Sequence, residues 1–280
     1  MNYDYANVCD IIEHEEILIY GTGAVAQRLI QILKRKSCWS NVKGFVVSCM
    51  IGQQNNLENK PVKAIDEVSN ENMILIAVHV VLKDEIEARL RALNFKKFVW
   101  IYPYLFDLEF GIPKQRNVVI DVEETVKNLY GIYTHAIYYM AIDCYLHNND
   151  DGKKIYIKLM NIFNDPETSI KRWDNFVEQI NVCEREGFKQ EHSIKLAETK
   201  DVLIDGGHRL ILAYYFGVKK INADLYDCDM KHYIEFSGRI PLTEERLEQN
   251  FDIEEIKKIK EYYNKSKKSR KELLGEFYDK

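Results

Sequence analysis

The sequence predicts an α/β protein with two domains, and three observations indicate this. Short apolar runs alternate with helical patterns over residues 1–112. A polar segment with Gly and Pro, GIPKQRN, then interrupts the alternation. Beyond it, aromatic-rich and amphipathic helical patterns surround a smaller set of short strands. We therefore expect a parallel-sheet domain in residues 1–112 and an α+β domain in residues 113–280, the second with helices before and after its strands.

In the first domain the elements follow from hydrophobic periodicity. Apolar runs predict strands at residues 17–20, 42–47, 73–78 and 96–103. Helical patterns cover residues 25–36 and 83–95, and residues 62–72 predict a short helix. Because these strands are apolar along their whole length, we expect a parallel sheet covered on both faces.

The second domain has a different order of elements. Helical patterns cover residues 121–147, 169–186, 208–216 and 242–273, and strand patterns cover residues 154–160, 192–197, 201–205 and 220–227. The helix at 169–186 has an apolar stripe that includes Trp173, Phe176 and Ile180, and Gly187 follows it as a C-terminal cap.

Composition excludes several classes of protein. The net charge of −5 argues against nucleic-acid binding by bulk electrostatics. The six cysteines form no C-x-x-C pair, which favours reduced thiols and a cytoplasmic location. The acidic N-terminus lacks the apolar segment of a signal peptide, and no apolar run is long enough for a membrane span.

A glycine-rich turn follows the first predicted strand. The sequence GTGAVA (residues 21–26) has the spacing G-x-G-x-x-A. In such a turn Gly21 permits a tight bend, Gly23 lets the backbone approach a phosphate, and the helix N-terminus presents free amide groups. The glycines alone would also suit the turn, so three interpretations stay open: a turn, a nucleotide or nucleotide-sugar site at Gly21, Thr22 and Gly23, or an NAD(P) site. The last lacks the acidic residue after the second strand, where Ser48 stands.

This half of the chain resembles a known domain. The segments IYGTGAVAQRLIQIL, VKGFVVS, NKPVKAIDEV and EIEARLRALNFKKFVW are similar to the Rossmann-like domain of bacterial surface-glycan biosynthesis proteins. The resemblance covers about 100 residues and implies a domain that binds a nucleotide-sugar.

The segment DVLIDGGHRLILAYYFG raises a second candidate site between a strand and a helix. Gly206 and Gly207 would form the turn, and the amide groups of the helix N-terminus would meet an anion together with the side chains of His208 and Arg209. Asp205 is placed to hold Mg²⁺ or to cap the helix. The alternative is a capped turn whose polar side chains are solvated.

This segment also carries a resemblance. With the upstream RWDNFVEQINVCEREGFKQEHSIKLA, it resembles the D-G-x-H-R region of ParB/sulfiredoxin-type domains, which bind nucleoside triphosphates at this turn. The resemblance implies that Gly206, Gly207, His208 and Arg209 bind phosphates. Sulfiredoxins carry a catalytic cysteine where Gly207 stands, and the arginine-rich motif and DNA-binding domain of ParB-type clamps do not appear in this chain.

The remaining branch, the free serine kinases, has the motif D-G-H-H-R, which this chain matches at four of five positions. The resemblance implies ATP or another nucleoside triphosphate with Mg²⁺ at Asp205. In these kinases a glutamate in an upstream loop acts as the base. The corresponding loop is NIFNDPETSIKRW, and its candidates are Asp165 and Glu167.

The leading hypothesis is a bacterial, cytoplasmic phosphotransferase of surface-polysaccharide biosynthesis, acting on a hydroxyl group of a small molecule or glycan precursor. The alternatives are a non-catalytic, nucleotide-binding scaffold of a glycan-modifying complex, and a nucleotide-sugar oxidoreductase. Expected partners are the substrate and glycan-biosynthesis enzymes, without nucleic acid or a membrane span, and a homo-oligomer stays open.

Overall fold

The computed structural model describes residues 4–129, 133–238 and 240–267. The chain divides into two compact units, Met1–Ile112 and Pro113–Lys280. Both units contain helices and a β-sheet with parallel strands, so the protein is an α/β protein.

Unit 1 is built around a six-stranded sheet of order β3-β4-β2-β1-β5-β6. Its strands are β1 (Ile17–Tyr20), β2 (Val42–Val47), β3 (Asn56–Leu57), β4 (Lys60–Ala64), β5 (Met73–Ile76) and β6 (Phe98–Trp100). All neighbouring pairs are parallel except the hairpin of β3 and β4. Every residue of β1 and β5 is buried, as their unbroken apolar sequences predict.

The helices of unit 1 are α1 (Tyr5–His14), α2 (Ala24–Arg35), α3 (Val80–Ala92) and α4 (Leu105–Phe110). On α2 the buried residues recur at helical spacing and include Ala26, Leu29 and Leu33. On α3, Ile86 and Leu90 belong to a buried cluster with Tyr20 of β1.

One prediction in unit 1 is wrong. Residues 62–72 do not form a helix, because this stretch begins within β4 and continues as a short 3₁₀ turn at Ile65–Glu67. Val62 pairs with Phe45 of β2, and both Val62 and Ile65 are buried. Their spacing of three residues imitates one face of a helix, so the pairing with β2 decides the structure.

Unit 2 contains a four-stranded sheet of order β7-β10-β8-β9. Its strands are β7 (Gln115–Asp121), β8 (Ile194–Ala197), β9 (Leu203–Asp205) and β10 (Lys220–Tyr226). The pair β10–β8 is parallel, whereas β10–β7 and β8–β9 are antiparallel. The mixed sheet and the surrounding helices give this unit its α+β character.

The helices of unit 2 are α5 (Val122–Asn128), α6 (Tyr133–Leu146), α7 (Asp151–Asn161), α8 (Pro166–Glu186), α9 (Gly207–Tyr215), α10 (Met230–Ser237), α11 (Glu244–Asn250) and α12 (Ile253–Lys267). The helix predicted over residues 169–186 is confirmed by α8, whose stripe of Trp173, Phe176 and Ile180 is buried. Gly187 ends it with a φ of 77°.

The strand predicted at residues 154–160 is wrong, because these residues belong to α7. Ile155 and Leu159 fit both an alternating and a helical pattern, but burial of Tyr156 and Met160 is helical. A Cβ atom on Gly152 would lie 2.6 Å from the Cβ atom of Cys144, so α7 packs very closely on α6. Packing between the two helices therefore decides the structure of this segment.

Among the described residues, none of the helices combines the length and apolar character that a bilayer span requires.

Candidate functional site

The turn between β9 and α9 contains the five residues of the D-G-G-H-R segment. Asp205 ends the strand, Gly206 adopts a left-handed conformation with a φ of 97°, and Gly207 begins the helix. A Cβ atom on Gly206 would lie 2.6 Å from Cγ2 of Ile194 on β8. Both the backbone conformation and the packing therefore require glycine at this position.

Helix α9 begins at this turn without a cap from a described side chain. The amide of Leu210 donates to the carbonyl of Gly206 at 2.9 Å, which closes the first turn of the helix. The amide groups that precede Leu210 therefore point out of the helix N-terminus. The helix dipole adds partial positive charge there, so the position suits an anion.

A cleft of about 150 Å³ lies beside this turn. Asp205 and the backbone of Gly206 and Gly207 form part of its wall, together with residues of α6, α10 and the end of α7. Its polar side chains are those of Thr134, His135, Tyr138, Asn164, Asp205 and Tyr233. Because pockets for drug-sized ligands measure roughly 300–1,000 Å³, the cleft suits one chemical group of a ligand and leaves the rest at the surface.

Gly207 keeps part of the cleft open. A Cβ atom at this position would lie 3.2 Å from Cε2 of Tyr138 and 3.9 Å from Nε2 of His135. A longer side chain would extend further into the space between these two rings. Glycine at position 207 therefore leaves room for a ligand group.

The side chain of Arg209 forms hydrogen bonds with residues around the turn. Its guanidinium donates to Oδ2 of Asp205 at 2.9 Å and to the carbonyls of His192 and Ser193 at 2.8 and 3.2 Å. The side chain thereby ties α9 to the segment that enters β8. In this arrangement Arg209 supports the turn and does not line the cleft.

The side chain of His208 lies in an aromatic cluster behind the turn. Its ring stacks on Phe176 with centroids 4.1 Å apart and an angle of 18°, and Tyr138 meets it edge-on at 4.5 Å. Its Nε2 atom and the hydroxyl of Tyr156 are 3.1 Å apart. The side chain of His208 therefore anchors α9 to α6, α7 and α8. At the N-terminus of α9, His208 contributes its backbone amide.

The two residues proposed as the base lie at the start of α8. Asp165 caps this helix by accepting from the amide and hydroxyl of Thr168 at 2.9 and 2.7 Å, and these bonds lower the pKa of its carboxyl. Glu167 pairs with Lys171 on the exposed surface. The cleft is lined by Asn164 but by neither acid, so the structure does not bring them to the D-G-G-H-R turn.

Sequence reasoning missed the contribution of α6 to the cleft. Thr134 and His135 come from the first turn of this helix, and Tyr138 follows one turn later. The spacing of His135 and Tyr138 places them on one helix face, which is a signal available from the sequence. The sequence does not indicate that this face of α6 lies opposite Gly207.

The glycine-rich turn of unit 1 has the expected strand–turn–helix setting. Gly21 has a φ of 108°, and its Cβ would lie 3.0 Å from the carbonyl oxygen of Ala77 on the neighbouring segment. Gly23 is the N-cap residue that precedes α2, no described side chain caps this helix end, and a Cβ on Gly23 would meet open space. Thr22 donates from its hydroxyl to Gln53 at 3.0 Å. Gly21 is thus required by packing, whereas Gly23 leaves the helix N-terminus accessible.

No cluster of three or more His, Cys, Asp or Glu side chains within the described parts of the chain is arranged to hold a metal ion. Comparison of the chain with protein families, with curated proteins and with solved structures finds no match. The function is therefore inferred from the residues and geometry of the two turns.

Proposed function

We propose that unit 2 is a nucleotide-dependent phosphotransferase with a ParB/sulfiredoxin-like fold. It binds ATP or another nucleoside triphosphate at the turn between β9 and α9 and transfers a phosphoryl group to a hydroxyl of a small molecule or glycan precursor. The observation that carries the proposal is the uncapped N-terminus of α9, with Gly206 and Gly207 in the wall of a cleft. Amide groups at a helix N-terminus bind phosphate oxygens without a specific side chain.

The carboxylate of Asp205 fits a role in binding Mg²⁺. This ion is usually held by one or two carboxylates, with substrate phosphates and water completing its shell. A larger acidic cluster, which the described residues do not contain, is therefore not required. Mg²⁺ at this position would neutralise charge on the phosphate oxygens. The ion pair of Asp205 with Arg209 is partly exposed, so it is worth at most about 1 kcal/mol and can be exchanged for a metal contact.

The order of elements also supports the proposal. The antiparallel strands β8 and β9 lead into the D-G-G-H-R turn, and β10 returns parallel to β8 after α9. This is the helix–strand–strand–helix order that the resemblance to ParB/sulfiredoxin-type domains implies. The cleft is lined by both polar and apolar groups, and the polar ones can orient a bound ligand.

Unit 1 supports a second binding function, that of a Rossmann-like domain for a nucleotide-linked substrate. Strand β1 lies in the middle of the sheet, with β2 and then β4 on one side and β5 and then β6 on the other. Ligands of such sheets bind at the carboxyl ends of the strands where the order reverses. Gly21 and Gly23 lie at this end of β1, so we assign them, with Thr22, to the substrate phosphates.

A pair of substitutions tests which turn binds the nucleotide. Gly207→Val places a branched side chain beside Tyr138, and Gly23→Val places the same side chain at the start of α2. Titration calorimetry with ATP and Mg²⁺ should show at least tenfold weaker binding to Gly207→Val and unchanged binding to Gly23→Val. The opposite result would assign the nucleotide to unit 1 and refute the proposed site.

Turnover separates catalysis from binding. The full chain with ATP, Mg²⁺ and L-serine or glucose should release ADP and form a phosphorylated acceptor, detected by ³¹P nuclear magnetic resonance. Tight ATP binding without ADP release would support the scaffold instead of the enzyme. Quenching or enhancement of NADH fluorescence on titration would support the oxidoreductase.

A further inference from the structure

A phosphotransferase of this kind uses a group that accepts the proton of the acceptor hydroxyl, and the acids predicted for this task lie outside the cleft. Among the described residues that line the cleft, the titratable side chains are His135, Tyr138, Asp205 and Tyr233. Asp205 is paired with Arg209. Imidazole is the side chain that most often serves as a general base in enzymes, so His135 is the strongest candidate among them.

His135 lines the part of the cleft next to Gly207. Its Nδ1 atom is buried, whereas Nε2 lies 3.9 Å from the point where a side chain would begin on Gly207. Gly207 is the first residue of α9, so the imidazole stands beside the amide groups assigned to the phosphates. Residue 207 is glycine, so it has no side chain of its own between the imidazole and these amide groups.

We propose that His135 is the catalytic base of unit 2, an inference that rests on the proposed function. Its Nε2 atom takes the proton of the acceptor hydroxyl while the hydroxyl oxygen forms a bond to the γ-phosphorus. The bond from the γ-phosphorus to the bridging oxygen breaks, and its electron pair leaves with the nucleoside diphosphate. The proton then passes from the imidazole to solvent, which restores the neutral base.

The same geometry gives Gly207 a part in selecting the acceptor. A hydroxyl group must lie between Nε2 of His135 and the phosphate to react, and this is the space that a side chain at position 207 would occupy. Tyr138 borders it with its ring edge 3.2 Å from the same point. The site therefore accepts a small hydroxyl-bearing group, such as a primary alcohol, better than a bulky secondary one.

Variants of His135 test the inference. With ATP, Mg²⁺ and L-serine or water as acceptor, His135→Gln should lower kcat about 100-fold, within the range for loss of a general base. It should leave the Kd for ATP within about twofold, since imidazole makes no contact with the nucleotide in this scheme. Added imidazole should restore part of the activity of His135→Ala but not of His135→Gln, which fills the space. This rescue distinguishes a proton acceptor from a packing residue.

The matched control is His147→Gln, which changes the same residue type just beyond the C-terminal end of α6. His147 is mostly exposed and lies near Asp143, away from the cleft, so kcat should not change. Unchanged kcat in His135→Gln overturns the inference and leaves the proposed function standing. Loss of ATP binding or of the folded state in both His135 variants also overturns it, since it indicates a structural role. Absence of ADP release by the unaltered chain refutes the proposed function and the inference together.

Discussion

Gly206 determines the path of the backbone into the candidate site. Its φ of 97° is one that side chains disfavour, and β8 leaves no room for a Cβ atom beside Ile194. Asp205 and Gly207 flank it and both line the cleft, so the position of each depends on this one residue. Single residues of this turn thus differ in role: Gly206 sets the backbone, Gly207 leaves space, and His208 and Arg209 anchor the helix.

Replacing Gly206 by Ala should reduce the stability of unit 2 by more than backbone strain alone. Gly238 is the control, since it has a φ of 64° and a Cβ there would meet open space. Gly238→Ala should cost about 1 kcal/mol of unfolding free energy, whereas Gly206→Ala should cost about 3 kcal/mol, because it adds a clash with Ile194. Urea denaturation of both variants measures this, and equal losses would contradict the packing argument.

At the scale of elements, helix α8 extends from an exposed N-terminus to the buried aromatic cluster around His208. Phe176 lies under His208, whereas the N-terminus of the helix is fixed by Asp165. A carboxylate at the start of a helix accepts from the exposed amides and interacts favourably with the helix dipole. The element therefore gives Asp165 a structural role that the loop sequence NIFNDPETSIKRW does not distinguish from a catalytic one.

Two substitutions of Asp165 separate these roles. Asp165→Asn keeps an oxygen that caps α8, so Tm should change little, whereas Asp165→Ala should lower it by a few degrees. If Asp165 only caps the helix, Asp165→Asn retains phosphoryl transfer, because an amide caps but cannot accept a proton. A large loss of kcat in Asp165→Asn with Tm unchanged would reinstate Asp165 as the base. Differential scanning calorimetry and the ADP-release assay give the two measurements.

At the scale of unit 2 as a whole, Asp143 connects three helices that follow one another at long intervals in the chain. From α6, it accepts from Tyr215 of α9 at 3.0 Å and from Tyr262 of α12 at 2.7 Å, with Lys265 at 3.3 Å. Burial acts to raise the pKa of Asp143, but these hydrogen bonds and the positive charge outweigh it and lower the pKa. Burial and the carboxylate raise the pKa values of Tyr215 and Tyr262.

This network makes the stability of unit 2 depend on pH. Because the pKa of Asp143 is lower in the folded state, its contribution is complete above the ordinary value of about 3.9 and is lost as the pH falls through the folded value. Asp143→Asn should cost about 1–3 kcal/mol at pH 7, and the difference from the unaltered chain should shrink towards pH 2. Urea denaturation across this range measures it. A difference that stays constant with pH would show that the ionised form of Asp143 is not what stabilises the network.

Much of the architecture was predictable from the sequence, because local patterns agree with the tertiary structure. The buried strands Ile17–Tyr20 and Val42–Val47 and the helix Pro166–Glu186 follow from apolar runs and helical spacing. Two predictions of secondary structure were wrong where the same residues fit both a strand pattern and a helix pattern. Residues 62–72 and 154–160 have spacings that suit either element, and contacts with β2 and α6 decide between them.

The sequence by itself determined the alternation of strands and helices and the two glycine turns, because periodicity and glycine chemistry act between near neighbours in the chain. Only the tertiary structure decided which residues meet at the second turn. It places His135 and Tyr138 of α6 next to Gly207, which follows more than sixty residues later in the chain. It also directs the ring of His208 towards an aromatic cluster, and it places Asp165 at the N-terminus of α8 as a cap. Contacts between distant segments depend on how whole helices pack, and a short motif carries no record of that packing.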